Sequence, residues 1–267
     1  MTTIQRNAAC PCGSGKKYKR CCGGVTNLAV FPAWGKTEAD RAIAVLLKLI
    51  HSPMFEGAYA AAKSEWFADA FADADQEQIE AALAHDQTQI AFNTWLLFDA
   101  YTTKDNHRLM ESVLDLAGPF NKRFTTGQRR FLERMAASTL RPYEIREVHF
   151  DEGFTLKDLW TGEEVAVKER LATQSLQRGE MMFVRLIEGP LGATEMHGAV
   201  LLLEPFAMQE LVESLRASFR AKCRKRPNLD ETAFFKEAGS TVGQAWLSRF
   251  TWKMPQLRTS DGQLRGR

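Results

Sequence analysis

The stretch Arg141-Pro142-Tyr143-Glu144-Ile145-Arg146-Glu147-Val148-His149-Phe150-Asp151-Glu152-Gly153 is where the chain changes texture, and the fold class turns on it. Upstream of Pro142 apolar residues recur at three- and four-residue spacing, whereas downstream they fall in short β-branched and aromatic pieces divided by turn residues. Glu144 to Phe150 therefore predicts a strand, and Asp151-Glu152-Gly153 the turn that ends it. Further strands are predicted at Thr155 to Trp160, Glu164 to Lys168, Met181 to Ile187 and Met196 to Leu203. Thr161-Gly162 and Arg178-Gly179 supply turns, and Gly189-Pro190-Leu191-Gly192 opens a longer connection. Strands this short, paired antiparallel, make a small curled sheet or open barrel over residues 143–204.

Working back from Pro142, residues 36–140 read as an all-helical domain. Thr37-x-x-Asp40 precedes Ile43, Leu46, Leu47 and Ile50 at helical spacing, with an end near Ser52-Pro53. Phe55 to Phe71 is alanine-rich, with Tyr59, Trp66 and Phe67 giving bulk on one side. Asp75 caps a segment containing Ile79, Leu83, Ile90, Trp95 and Leu96, broken near His85-Asp86. Asp105 caps another with Leu109, Val113 and Leu116, stopped by Gly118-Pro119, and a helix from Thr126 to Thr139 completes the domain. Beyond the strands, residues 205–252 predict C-terminal helices that pack on this body. Pro205 opens the first, which carries Leu211, Val212 and Leu215 into a basic run before Pro227. Asp230 caps a last helix with Phe234, Phe235, Val242, Trp246 and Phe250, and the polar tail from Thr259 is predicted to be disordered. The fold class is α+β.

At 267 residues with a formal net charge of +2, the chain can bury a substantial core, and its charge is segregated along the sequence. From Met1 to Thr37 the charged residues are Arg6, Lys16, Lys17, Lys19, Arg20 and Lys36, with no carboxylate. Residues 38–117 form an acidic block, led by Glu38, Asp40, Glu56, Glu65, Asp69 and Asp73. Basic residues return at Lys122, Arg123, Arg129, Arg130 and Arg134, and again at Arg216, Arg220, Lys222, Arg224, Lys225 and Arg226. Such asymmetry suits an anionic partner, nucleic acid included, while solvated helix faces explain each cluster taken alone. No apolar run is long enough to span a bilayer, and Met1 to Val30 lacks a secretory signal, so a cytoplasmic protein is expected.

Four of the five cysteines lie within Cys10-Pro11-Cys12-Gly13-Ser14-Gly15-Lys16-Lys17-Tyr18-Lys19-Arg20-Cys21-Cys22. Cys10/Cys12 and Cys21/Cys22 are too close in sequence to bridge within each pair without strain. Four thiolates converging on one ion are the natural alternative, and zinc accepts them tetrahedrally, with iron a less favoured metal. Structural disulfides would require an exported chain. The Gly-Ser-Gly-Lys-Lys string looks superficially like a phosphate-binding loop, but Cys10 occupies its first glycine position and Lys17 its Ser/Thr position. Redox catalysis calls for Cys-x-x-Cys or an activated lone thiol, and this spacing is neither.

The segment resembles the SEC-C motif, a zinc-binding module known from the C-terminus of the SecA translocation motor and attached to other bacterial proteins. Cys-x-Cys, eight residues, then Cys-Cys is matched in full, as are Pro-Cys-Gly-Ser-Gly-Lys-Lys-Tyr-Lys and the preceding Arg6-Asn7. The resemblance implies a zinc knuckle over residues 5–24 with Cys10, Cys12, Cys21 and Cys22 as ligands. Ala9 stands where the family often has proline, and here the module lies at the N-terminus. In SecA the module contacts an export chaperone and the ribosome, which marks those as classes of partner to consider. The β-rich region bears a weaker resemblance to stretches of uncharacterised bacterial SEC-C proteins, and that implies no activity.

No catalytic constellation emerges. His51, His85, His107, His149 and His197 are scattered without metal-ligand spacing, and neither Ser112 nor Ser214 sits in a nucleophile elbow. The sequence therefore favours a binding protein over an enzyme, whose site would have to be assembled by tertiary contacts. The leading expectation is a zinc-bearing adaptor that presents Lys16, Lys17, Tyr18, Lys19 and Arg20 to a protein, chaperone or ribosomal partner. The alternative is nucleic-acid binding through the knuckle and the 216–226 helix.

Overall fold

The computed structural model describes Lys17 and residues 35–68, 76–101, 108–115, 118, 120 and 123–250. Apart from Lys17, the predicted knuckle lies outside the described residues, as do Asp75, Asp105, His107 and the tail from Thr259.

Helices form where apolar residues recur at helical spacing. In α1 (Gly35–Ile50) Ala39, Ala42, Leu46, Leu49 and Ile50 are buried. A 3-10 turn at Pro53–Phe55 leads into α2 (Glu56–Phe67), whose Ala62, Trp66 and Phe67 face inward. After α3 (Gln76–Leu83) comes α4 (Asp86–Phe98), divided from it near His85-Asp86 as expected. Helix α4 is the hub of this layer, with Thr88, Ala91, Phe92 and Trp95 to Phe98 all buried. The rings of Trp66 and Trp95 lie 5.0 Å apart and those of Trp66 and Phe92 6.0 Å, within the range of favourable aromatic pairs. Helix α5 (Leu109–Leu114) starts directly after Arg108. Helix α6 (Thr126–Ala137) opens with a capping box: Gln128 N donates to Thr125 Oγ1 at 3.2 Å, and Thr125 N donates to Gln128 Oε1 at 2.9 Å.

The β-rich region forms a closed barrel of strands β1 (Leu140–His149), β2 (Gly153–Asp158), β3 (Glu164–Lys168), β4 (Met181–Glu188) and β5 (Thr194–Leu203) in the order β1-β2-β3-β5-β4. Strand β1 pairs antiparallel with both β2 and β4, β2 with β3, and β4 with β5. The expectation of antiparallel pairing throughout fails at the closure, where Val167 of β3 meets Thr194 of β5 in parallel. The cause is topological: β4 pairs with β1 and sends β5 back as an antiparallel hairpin, so β5 runs in the same direction as β3. This is the Greek-key order of OB-type barrels. Register shifts bend β1 between Ile145 and Glu147 and the β4–β5 pair between Phe183 and Arg185. At the second bend Gly198 takes φ +79°, and a Cβ there would stand 3.0 Å from Thr94 of α4.

Side chains inside the barrel, including Ile145, Phe154, Leu156, Met182 and Val184, make a core of their own. Outward-facing Phe183, Ile187, Ala199, Leu201 and Leu203 of β4 and β5 belong instead to a larger core shared with the helices. Helix α7 (Pro205–Lys225) follows, with proline in its first turn. The predicted last helix is in fact two, α8 (Glu231–Glu237), capped by Asp230, and α9 (Gly239–Phe250). The break falls where Gly239 meets Trp95 so closely that a Cβ would lie 2.6 Å from the indole.

One polar cluster lies between the layers. Arg185 of β4, fully buried, donates to Asp99 Oδ2 just beyond α4, to Met135 O at 2.9 Å and to Ser138 O. Lys236 of α8 donates to Asp99 Oδ1 at 3.0 Å, to Phe98 O at 2.9 Å and to Ser138 O at 3.3 Å. Removing the carboxylate strands two buried cations, so Asp99→Ala is expected to lose about 3–5 kcal/mol of stability. Urea unfolding checks this, and a loss below about 1 kcal/mol, the value of an exposed pair, would show that the cluster is not buried as described.

Candidate metal centre and basic surfaces

Cys10, Cys12, Cys21 and Cys22, with Lys16, Tyr18, Lys19 and Arg20, lie outside the described residues, while Lys17 is described and exposed. The fit of a metal here therefore rests on the chemistry of the donor set. Four sulfur donors in two close pairs match a tetrahedral thiolate site for zinc. Among the described residues no group of three or more His, Cys, Asp or Glu comes together as an alternative centre. The histidines there make local contacts: His51 packs on Tyr59 at 4.7 Å, His149 approaches Thr155 at 3.2 Å, and His197 approaches Glu195 at 3.4 Å. Cys223 is half-buried near Leu229 O.

The basic run at the end of α7 divides in two. Arg216 turns inward, donating to Leu159 O at 2.9 Å and Trp160 O at 2.6 Å, with its guanidinium 4.8 Å from the Trp160 ring centre. Lys222 and Arg226 clamp Glu237 of α8 at 2.9 and 2.7 Å. Arg220, Arg224 and Lys225 are exposed and form no ion pair among the described residues. Half of the proposed nucleic-acid surface is thus engaged in holding the C-terminal helices to the body. Of the earlier basic cluster, Arg129 donates to Val113 O and Leu114 O, and Arg134 pairs with Glu188 at 2.7 Å.

On the barrel, the outer face of β1–β3 pairs most of its charges internally. Arg146 meets Glu144 at 2.8 Å and Glu164 at 3.8 Å, and Arg170 is paired with Asp151. A shallow groove of about 590 Å³ runs past Arg146, Val148, His149, Leu176 and Arg178. The nearest large exposed apolar side chain in sequence is Phe150, 72% exposed in the β1–β2 turn. A second, more enclosed cleft of about 390 Å³ opens where α2, α4, α7 and α8 meet, and its walls include Glu65, Trp95, Asp99, Tyr101, Arg226 and Lys236. Burial pushes the Lys236 ammonium below its ordinary value, with Asp99 opposing that shift.

Neither the Asp99–Arg185–Lys236 cluster nor this cleft is anticipated by the sequence reading. The available signal was a cation inside the apolar run Phe183-Val184-Arg185-Leu186-Ile187 and another directly after Ala233-Phe234-Phe235, at Lys236. A charge in such a run must find a buried partner, but sequence does not say which. The Glu237 clamp has a pH signature. Hydrogen bonding from Arg226 holds its carboxyl at about 2 rather than 4.5, with burial opposing and Lys222 assisting. A depressed carboxyl stabilises the fold above its unfolded value, and that stability is lost as pH falls from about 4.5 toward 2. Wild type is expected to melt above Glu237→Gln at pH 6, with the gap closing by about pH 2; a gap independent of pH would remove the clamp from the account.

Comparison with known proteins places one segment. Residues 6–24 match the family model for the SEC-C motif. A stretch of 33 residues, 12% of the chain, is 61% identical to 9% of the Uncharacterized protein YccF of Bacillus subtilis (strain 168). A stretch of 22 residues, 8% of the chain, is 77% identical to 3% of the protein translocase subunit SecA of Lachnoclostridium phytofermentans. A stretch of 18 residues, 7% of the chain, is 89% identical to 12% of a UPF0225 protein of Serratia proteamaculans. The chain thus spans at most about an eighth of the length of these relatives, and no solved structure matches it. The N-terminal segment carries a SEC-C motif, of a family associated with zinc binding, and is similar there to SecA, YccF and UPF0225 proteins.

Proposed function

We propose that this chain is a zinc-binding adaptor. Cys10, Cys12, Cys21 and Cys22 hold one zinc ion, and Lys16, Lys17, Tyr18, Lys19 and Arg20 contact a protein partner in the cytoplasm, a chaperone or the ribosome being the classes the SecA likeness suggests. The observation that carries the reading is the SEC-C match over residues 6–24, which contains all four cysteines. The segment has few apolar side chains, so metal coordination must supply the free energy that orders it. The body has two apolar cores of its own, which supports its folding without the ion. Among the described residues no helix is long and apolar enough to cross a membrane.

Elemental analysis of protein purified without added metal is expected to give about one zinc per chain, because four-thiolate sites retain zinc tightly. Cys10→Ser with Cys12→Ser abolishes it and leaves the melt of the body unchanged. Less than half an equivalent of zinc in the wild type, with four freely titrating thiols, would defeat the assignment. For the partner face, affinity purification with Lys17→Ala plus Tyr18→Ala is expected to lose a protein that wild type retains. Retention of every partner by the double variant would remove these residues from the interface.

A second reading, nucleic-acid binding, rests on Arg220, Arg224 and Lys225, which stand exposed at the end of α7. Its mark is log affinity falling with log salt by about 0.9 for each duplex phosphate contacted. No gel shift even at low salt would reject it.

A further inference from the structure

We propose that residues 251–258, which follow α9 and lie outside the described residues, fold back onto the exposed face of the first half of α7 and cover Phe206. Three observations converge on this contact: what the face carries, where α9 ends, and what the segment carries.

Helix α7 buries Met208, Val212 and Leu215 against the body, which leaves its opposite side open. Phe206, Glu210 and Glu213 recur there at i, i+4 and i+7, so they share one face, and all three are exposed. Phe206 is 71% exposed. From Glu204 to Leu215 the chain holds Glu204, Glu210 and Glu213 and no basic residue. The first cation after them, Arg216, is turned inward to the carbonyls of Leu159 and Trp160. The face is thus a phenyl ring at the head of an acidic strip. A single exposed apolar side chain is ordinary on a protein surface; the course of the chain is what supplies this one with an occupant.

The last turn of α9 lies against the strip, with Arg249 Nη2 3.7 Å from Glu210 Oε2. Phe206 stands one turn of α7 away from Glu210, about 5 Å along the axis, a distance that two extended residues span at about 3.3 Å each. The chain therefore leaves α9 within reach of Phe206. Thr251-Trp252-Lys253-Met254-Pro255-Gln256-Leu257-Arg258 offers Trp252, Met254 and Leu257 to an aromatic ring, and Lys253 and Arg258 to carboxylates, and it contains no acid. Its composition complements the face in both respects. Covalent attachment at Phe250 sets the local concentration of the segment at about the millimolar level, so a contact too weak to hold a free peptide is enough to hold this one.

Hydroxyl-radical footprinting read by mass spectrometry compares the full 267-residue chain with one ended after Phe250. Oxidation of Phe206 is expected to rise several-fold in the shortened chain and in Trp252→Ala. It rises also in Glu213→Lys, and in wild type at ~1 M salt, where the charge contribution is screened. Circular dichroism checks that each variant is folded. Trp252→Ala changes a residue beyond α9, so it carries the test even if the shortened chain does not fold. Equal oxidation of Phe206 in wild type, in the shortened chain and in Trp252→Ala overturns the proposal. Protection that persists without residues 251–267, or that fades on dilution, overturns it too, because the occupant is then another segment or a second copy of the chain.

Discussion

A guanidinium in the middle of an apolar strand needs a counter-charge within a few ångströms, and the arrangement of this molecule follows from that need. Arg185 shares the outward face of β4 with Phe183 and Ile187, the residues that pack against the helical layer. The barrel can meet the helices only in a position that brings Asp99, just past the end of α4, onto Arg185. Lys236 then fixes α8 to the same carboxylate and to the carbonyls of Phe98 and Ser138. Three parts of the chain distant in sequence are thereby tied at one point. Replacing all three groups by well-packed apolar residues could be as stable, because desolvation offsets much of the Coulomb gain. What the cluster supplies is register: an apolar interface tolerates sliding, whereas two cations around one carboxylate do not.

The same dependence explains what could be read from sequence. Strand β3 occupies Glu164–Lys168 as expected, and β1, β2, β4 and β5 shift by only a few residues at their ends, because alternation and turn residues are local signals. The division between α3 and α4, proline opening α7 and Asp230 capping α8 were legible for the same reason. The parallel closure of β3 on β5 and the break between α8 and α9 were not. Apolar spacing runs on across Ala238-Gly239, and only the approach of Gly239 to Trp95, far away in sequence, shows why the chain turns there.

Sites divide along the same line. Metal coordination by four cysteines within a dozen or so residues is a local property, so the spacing announces it without any knowledge of the fold. The cleft beside Asp99 draws Glu65, Trp95, Tyr101, Arg226 and Lys236 from separate parts of the chain, and no two of them form a motif. Trp95 read as a core residue, which it is.

Charge read from sequence changes meaning once partners are known. The run from Arg216 to Arg226 looks like a single cationic patch, yet Arg216 serves the carbonyls of Leu159 and Trp160, and Glu237 neutralises Lys222 and Arg226. A surface meant for phosphates would keep those side chains free and spaced along a groove. The N-terminal segment is different in kind, since no carboxylate occurs from Met1 to Thr37. Helix neighbours cannot neutralise Lys16, Lys17, Lys19 and Arg20 as Glu237 neutralises its pair, because there is no acid within reach along the sequence. A tetrathiolate zinc carries about two negative charges and offsets part of this. The remainder must be answered either by acids much further along the chain or by a partner. Tyr18, set among those cations, adds the aromatic anchor that a protein interface favours and that a purely electrostatic contact does not require.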